Sequence, residues 1–451
     1  MGPGDRVRHA QQGLATVIRW IDGGRRALVR LDARPAVPTV LSAVELVAEG
    51  PAPETATAVE RAPAPIIGDR QSLEALRLGV VPPSGLAALT VGRQAELAAL
   101  TALFAQGRGL QIWSGHYGAG KTHLLDLAGE QALAEGYGLG RVTFDPEATP
   151  PSHPLRIYGA LAAGLCWPGR ADGGLMPLLL TLGSSARHLD GDRRHRWLSA
   201  ALYAVHHAPE PLAEAVVAFV EGRGGDGAEL SASLRRAGYR GDRLLALPDY
   251  RTFGQIMAHL LSGVATWAAD AGWRGLTLLF DEAEYLDRMV GPSQELAETV
   301  LRYLAVAALP DAELAFDPQT LYKGGQTVHR EVGPRFIAAA PLVALFAFTP
   351  HPAIDRALRR VVVERHLHEL RPVRPSLLPQ LAARIDALVR AVYPSFHPDP
   401  ADEALVARLL AEGFAAGRIA STRAAARMVV EFWDLYRIDP KRALQAVGAA
   451  G

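Results

Sequence analysis

The sequence predicts an α/β chain, with a mostly parallel sheet flanked by helices, a small β-rich segment before it and an α-helical region after it. Three observations carry this expectation. Residues 110–113 (LQIW) are a short apolar run followed by glycines and then by a helical pattern over 122–136, which is a strand–loop–helix unit. Residues 276–280 and 342–348 are apolar runs of the length of strands buried on both faces, and a helical pattern over 293–308 separates them. Beyond residue 374, helical spacing dominates as far as 436.

Taken in order, residues 1–49 read as strands over 5–9, 14–21, 26–32 and 39–47, with Asp22-Gly23-Gly24 marking a tight hairpin. A small SH3-like or Tudor-like β-barrel is expected. In ATVIRWI and RRALVRL the alternation could put several arginines opposite the apolar face, a surface for an acidic protein partner or a phosphate backbone, with a purely structural add-on as the third reading. Residues 50–69 are rich in Pro and Ala without apolar periodicity and read as a linker. The α/β core is expected over 70–373. It starts with two amphipathic patterns between 72 and 105 that flank the loop GVVPPSGL, and it holds a helical insertion over about 155–270, broken by glycines at 222–227. Residues 374–451 are expected to form an α-helical subdomain.

Composition narrows the class. In 451 residues, Lys plus Arg and Asp plus Glu are both 47, so no overall basic field marks a nucleic-acid binder, although a local patch remains open. The single cysteine, Cys166, excludes an internal disulfide and a multi-cysteine zinc site, and its place after an apolar helix face suggests burial. The first residues, MGPGDRVRHA, lack the apolar core of a secretory signal, and no uninterrupted apolar stretch has membrane-spanning length. A cytoplasmic protein is expected. His206-His207 and His366 with His368 form no metal motif and read as surface or core histidines.

The chemistry concentrates at residues 115–122, GHYGAGKT, which match G-x-x-x-x-G-K-[ST] between the predicted strand and helix. Phosphate oxygens need converging backbone N–H groups. Gly115, Gly118 and Gly120 let the chain wrap closely, with Ala119 between them, and the helix beginning at Lys121, Thr122 and His123 offers its positive end. Lys121 is one of only three lysines, the others being Lys323 and Lys441, and an arginine does not replace a compact ammonium at such a site. Lys121 is expected on the β- and γ-phosphates and the Thr122 hydroxyl on Mg²⁺.

The run LTLLFDE (276–282) delivers two carboxylates at the C-terminal end of a strand, where an open α/β sheet faces its ligand. Asp281 is expected to hold hydrated Mg²⁺ and Glu282 to polarise the attacking water. DEAE at 281–284 also matches the acidic motif of nucleic-acid helicases. A helicase motor needs a second α/β lobe, however, and too little such sequence follows residue 348.

These motifs resemble the AAA+ superfamily, nearest its replication-initiator branch. TVGRQAEL (90–97) looks like the segment there that packs against adenine, centred on Gly92 and Arg93. LVALFAFTP (342–350) resembles the sensor-1 strand, which implies a phosphate- or water-contacting role for Thr349; a plain strand-end threonine is the other reading. ASTRAAARMVVEFWD (420–434) is similar to the sensor-2 helix of the lid, which implies Arg423 near the phosphates, against the reading of an exposed helix arginine. Arg356, Arg359 and Arg360, after sensor 1, are the arginine-finger candidates, and a basic helix face is the alternative. No winged-helix segment is expected after the lid.

LRLGVVPPSGL (76–86), the block 249–287 that opens DYRTFGQ, and LYKGGQTVHRE (321–331) further resemble a bacterial ATPase family of BREX-type phage-defence loci, the BrxD/BrxC-like ATP-binding proteins. The resemblance spans about 70–438. It implies ATP and Mg²⁺ as ligands, a co-encoded Lhr-type helicase as partner, DNA as a further contact and a homo-oligomer. Lys323-Gly324-Gly325-Gln326 would be a mobile element near the sensor strand or a plain loop. The expected function is a Mg²⁺-dependent AAA+ ATPase acting as motor or switch in DNA-linked phage defence. The alternative is an ATP-dependent scaffold with slow hydrolysis and no direct action on DNA; Glu282 favours hydrolysis, since a pure binder needs no water-polarising carboxylate.

Overall fold

The computed structural model describes residues 6–9, 13–21, 26–31, 38–42, 46–48, 67–247, 253–283, 291–321 and 332–448. The chain divides into two units, Met1–Ala64 and Pro65–Gly451. The linker over 50–66, the YRT of the 249–287 block, residues 284–287 and the 322–331 loop with Lys323 lie outside the described residues.

The first unit is an antiparallel sheet of β1 (Arg6–His9), β2 (Gly13–Ile21), β3 (Arg26–Leu31), β4 (Pro38–Ser42) and β5 (Leu46–Ala48), in the order β4-β3-β2-β1-β5. Where the sequence reads as one strand over 39–47, the structure has two, β4 and β5. Val7 and Val29 are fully buried, as β-branched apolar residues on a covered face should be. The arginine side chains of this sheet, Arg19 among them, lie outside the described residues.

The second unit carries a five-stranded parallel sheet. Its elements in chain order are α1 (Ile67–Leu78), α2 (Leu86–Leu89), α3 (Gln94–Gln106), β6 (Gly109–Ser114), α4 (Lys121–Ala134), β7 (Tyr137–Thr143), α5 (Pro154–Ala163), α6 (Met176–Leu182), α7 (Ala186–Leu189), α8 (Leu198–His207), α9 (Glu210–Val220), α10 (Gly227–Arg236), α11 (Phe253–Asp270), β8 (Gly275–Asp281), α12 (Pro292–Ala308), β9 (Leu342–Phe348), α13 (Pro352–Arg359) and β10 (Leu367–Glu369). The strands run β10-β6-β9-β8-β7, every neighbour parallel. This order sets β9 between β6 and β8, so the ends of the three strands that precede Gly115, Glu282 and Thr349 lie side by side.

Continuous apolar strands follow from helices on both faces. Along β9, Leu342, Ala344, Phe346 and Phe348 join a core built with α5, α8 and α11, while Val343, Leu345 and Ala347 join a second core with Phe104 of α3 and Leu124, Leu125 and Ala128 of α4. Strand β7 is not readable as an apolar run, because Gly138 and Gly140 interrupt it. The structure explains the glycines: a Cβ on Gly138 would lie 2.5 Å from the Trp167 ring, and one on Gly140 would lie 3.1 Å from Leu278. Trp167 in turn stacks on Trp273 with centroids 4.4 Å apart.

Helices α14 (Leu378–Val392), α15 (Pro400–Ala415), α16 (Thr422–Ile438) and α17 (Pro440–Gly448) form a bundle with its own core around Leu378, Ile385, Val429 and Trp433. Leu73 and Leu76 of α1, with Leu89 and Val91, are part of that core. Arg77 of α1 clasps Asp434 of α16 with two bonds, at 2.7 and 3.0 Å. The segment before the glycine-rich loop thus packs with the far end of the chain.

Cys166 is a correction: it is exposed rather than buried. It exchanges backbone bonds with Leu139 as an antiparallel bridge, at 2.8 and 2.9 Å. Extended backbone alternates sides, so Leu165 and Trp167 turn inward and the residue between them turns out.

Candidate functional site

Strand β6 ends at Ser114, and the loop 115–120 leads into α4. The Gly115 N–H donates to the Phe348 carbonyl of β9 at 2.9 Å, which ties the loop to the neighbouring strand. Gly118 (φ 82°) and Gly120 (φ 91°) are left-handed, a conformation that favours glycine. A Cβ at Gly115 would stand 3.0 Å from both Cβ and the carbonyl oxygen of Leu370. Gly120 caps α4 without a side-chain acceptor, so the helix offers its N–H groups to the loop's concave side.

The Lys121 ammonium is largely buried and donates to the Gly115 carbonyl at 2.9 Å and to the Thr349 hydroxyl at 3.0 Å. The sequence-predicted sensor threonine therefore meets the loop lysine, 228 residues away in sequence. Asp281 is buried at the end of β8, where its Oδ1 accepts the Glu282 N–H at 3.0 Å and its Oδ2 accepts Arg141 Nη2 at 3.2 Å. Glu282 is the one non-glycine residue among those described at positive φ (56°), a conformation that costs on the order of 1–2 kcal/mol. It is exposed and lines the cavity.

Arg93 acts here as a brace. Its guanidinium donates to the carbonyls of Arg371 (2.8 Å) and Ala119 and to Glu96 (3.0 Å), and so fixes the loop backbone from behind. Thr90 gives its hydroxyl proton to the Leu86 carbonyl at 2.7 Å and lies 2.8 Å from His123 Nε2, which is then the protonated nitrogen of the ring. Burial, with the nearby Arg93 charge, lowers His123 to about 4, so the ring is neutral at neutral pH. Gly92 is left-handed (φ 67°), and a Cβ there would lie 2.5 Å from Leu377 Cδ1.

These segments surround a cavity of about 350 Å³, within the size range of small-molecule sites. Its polar side is the stretch 117–123, with Arg93 and Glu282. Its apolar side comes from Val80, Val81, Val91, Val373, Leu381 and Ala426. Arg423 and Ser421 at the start of α16 close it, and a Cβ on Gly118 would come within 3.1 Å of Ser421 Cβ. Arg423 is exposed, with no side-chain hydrogen bond or ion pair among the described residues. The structure thus brings together Gly118, Ala119, Gly120, Lys121, Thr122, His123, Arg93, Glu282 and Arg423, with Gly92, Gly115, Asp281 and Thr349 directly behind.

The finger candidates are not brought to this cavity. Arg356 Nε donates to the Pro352 carbonyl at 3.1 Å, Arg359 pairs with Glu364, and Arg360 pairs with Glu298 at 3.1 Å. Neither histidine pair approaches it: His366 donates from Nδ1 to the Leu110 carbonyl at 2.9 Å, and His206 Nε2 lies 3.0 Å from the Leu179 carbonyl.

Sequence reasoning misses the apolar wall formed by α14 and α16. Leu381 and Ala426 are ordinary core positions of an amphipathic helix, and only assembly turns one edge of that core toward the loop. It also misses Arg141, whose isolated charge inside a strand is the available signal.

The residues that form this loop also carry a family match. Residues 68–182 match the protein family described as BREX system ATP-binding protein BrxC/D. Over that stretch the chain is similar to BrxC/D. The matched stretch runs from α1 to α6 and holds the whole loop 115–120, while Glu282, Thr349 and Arg423 lie beyond it. No curated protein matches the chain. ATP is the ligand that the family supports. Among the described residues no helix is long and apolar enough to cross a membrane, and no group of three His, Cys, Asp or Glu side chains stands ready to hold a metal ion.

Proposed function

We propose that the chain is a Mg²⁺-dependent ATP hydrolase of the AAA+ class, working as a switch or motor in a DNA-linked phage-defence system with a helicase partner. The observation that carries this is one cavity bordered at once by Lys121 and Thr122, by Glu282 and by Arg423. In this reading the β- and γ-phosphates take the place at Lys121 Nζ now held by the Gly115 carbonyl, and the backbone of 117–122 donates to phosphate oxygens. The base lies against the apolar wall of Val81, Val91 and Leu381, with Arg93 on the same cavity and Gly92, packed on Leu377, holding the turn between Val91 and Arg93.

The donor set fits Mg²⁺. Thr122 and Asp281 supply two hard oxygen groups, and the ion characteristically completes its shell with phosphate oxygens and water rather than with an all-protein cage. Bound there, Mg²⁺ would neutralise charge on the phosphates. Glu282, which lines the cavity, would accept a proton from the attacking water, and Thr349, bonded to Lys121, would register whether the phosphate site is filled. The bundle of α14 to α17 would serve as lid and bring Arg423 to the phosphates. The N-terminal sheet is read as an SH3-like barrel for partner or DNA docking. Arg356 is the preferred finger, because Arg359 and Arg360 already pair with Glu364 and Glu298 of their own chain.

The test separates binding from chemistry. Lys121→Ala is expected to lose ATP binding, and Glu282→Gln to bind ATP as the wild type does while turnover falls by about 100-fold or more. Equal turnover in Glu282→Gln and wild type removes Glu282 as the base.

A further inference from the structure

We propose that Arg141 is a positioning residue that sets the net charge, and with it the cation affinity, of the Mg²⁺ end of the site. The inference rests on the reading of Thr122 and Asp281 as the residues that would hold the ion. Arg141 lies on β7 opposite Leu279 of β8, and Thr143 lies opposite Asp281. Residues two apart on a strand share a face, so the Arg141 side chain runs along the sheet toward the end of the neighbouring strand. Its Nη2 donates to Asp281 Oδ2 at 3.2 Å, and its Nη1 pairs with Asp126. Asp126 follows Thr122 by four residues on α4 and occupies the same helix face one turn further on.

One guanidinium thus joins the helix that carries Thr122 to the strand that carries Asp281. The pairs are not fully solvated: the side-chain exposures are 5% for Asp281, 18% for Asp126 and 36% for Arg141. Charges held this way act on a nearby divalent ion with less screening than surface charges do. Two carboxylates and one guanidinium leave a single net negative charge. Without Arg141 the set carries two, without the Asp126 charge it carries none, and without both it returns to one. Glu282 is common to all four proteins and cancels from the comparison.

The experiment is a Mg²⁺ titration of the full chain bound to a fluorescent ATP analogue, for wild type, Arg141→Gln, Asp126→Asn and the double variant, read as the Mg²⁺ concentration at half-change. The expected midpoint falls about threefold or more in Arg141→Gln and rises by a similar factor in Asp126→Asn, the step that one unit charge beside a divalent ion produces even when partly screened. The double variant is expected within about twofold of wild type, and Arg141→Lys close to it. A purely structural clasp between β7 and α4 would move all the variants in one direction. Shifts of equal sign, or none, overturn this inference and leave the Mg²⁺ reading standing. Nucleotide binding by the wild type that does not respond to Mg²⁺ overturns the underlying reading. Should Arg141→Gln fail to fold, Asp126→Asn and Asp126→Glu together decide: charge predicts a raised midpoint in Asn and a midpoint near wild type in Glu, and equal rises in both overturn the inference.

Discussion

Replacing Asp386 by asparagine is expected to stabilise the C-terminal bundle at neutral pH and to do little at pH 4. Asp386 sits on α14, buried, and its Oδ1 accepts the Trp433 indole N–H of α16. Burial lifts its carboxyl to about 6; the Trp433 bond and Arg390 oppose the rise and Glu403 adds to it. A folded value above the unfolded 3.8 means that the stability contribution is whole below about pH 4 and is lost as pH rises through about 6. The separation of about two units corresponds to about 3 kcal/mol lost above pH 7. Asparagine keeps an oxygen for Trp433 and has no proton to lose. Hydrogen exchange of peptides from α14 and α16 in the full chain reports bundle stability without requiring two-state unfolding. At pH 7.5 the variant should exchange on the order of 100-fold more slowly than wild type, and at pH 4 within about threefold of it. An equal gain at both pH values, or a loss at pH 7.5, would refute the argument from ionisation.

Two further outcomes can be checked. Gly92→Ala places a Cβ 2.5 Å from Leu377 Cδ1 at φ 67°, so calorimetry should find ATP bound about fivefold or more weakly, with the fold retained as judged by circular dichroism. In the Glu282→Gln background, ATP should drive self-association that Arg356→Ala abolishes; a protein that stays monomeric with ATP in light scattering at micromolar concentration contradicts a finger supplied by a neighbouring copy.

The parts of the site that were legible in the sequence are those whose chemistry is local. The loop 115–122 needs its glycines, lysine and threonine at fixed spacing, and β8 and β9 announce themselves as apolar runs because both faces are covered. Other parts depend on distant partners. Strand β7 hides behind Gly138 and Gly140, whose reason is Trp167 and Leu278. The fit of α1 with α16 is signalled only by Arg77 and Asp434, 357 residues apart. The exposure of Cys166 is not legible in the sequence, because the apolar helix face before it ends at Gly164 and the chain beyond is already extended and alternating.

The central claim is that ATP occupies the cavity between the loop 117–123 and helix α16. Its most direct test is an experimental structure of Glu282→Gln with Mg²⁺ and ATP. The account predicts the phosphates on Lys121 and the 117–122 backbone, the base against Val81, Val91 and Leu381, and Arg423 turned toward the phosphates. Nucleotide bound elsewhere, or the Lys121 ammonium still held by the Gly115 carbonyl and Thr349 with ATP at saturation, would contradict it.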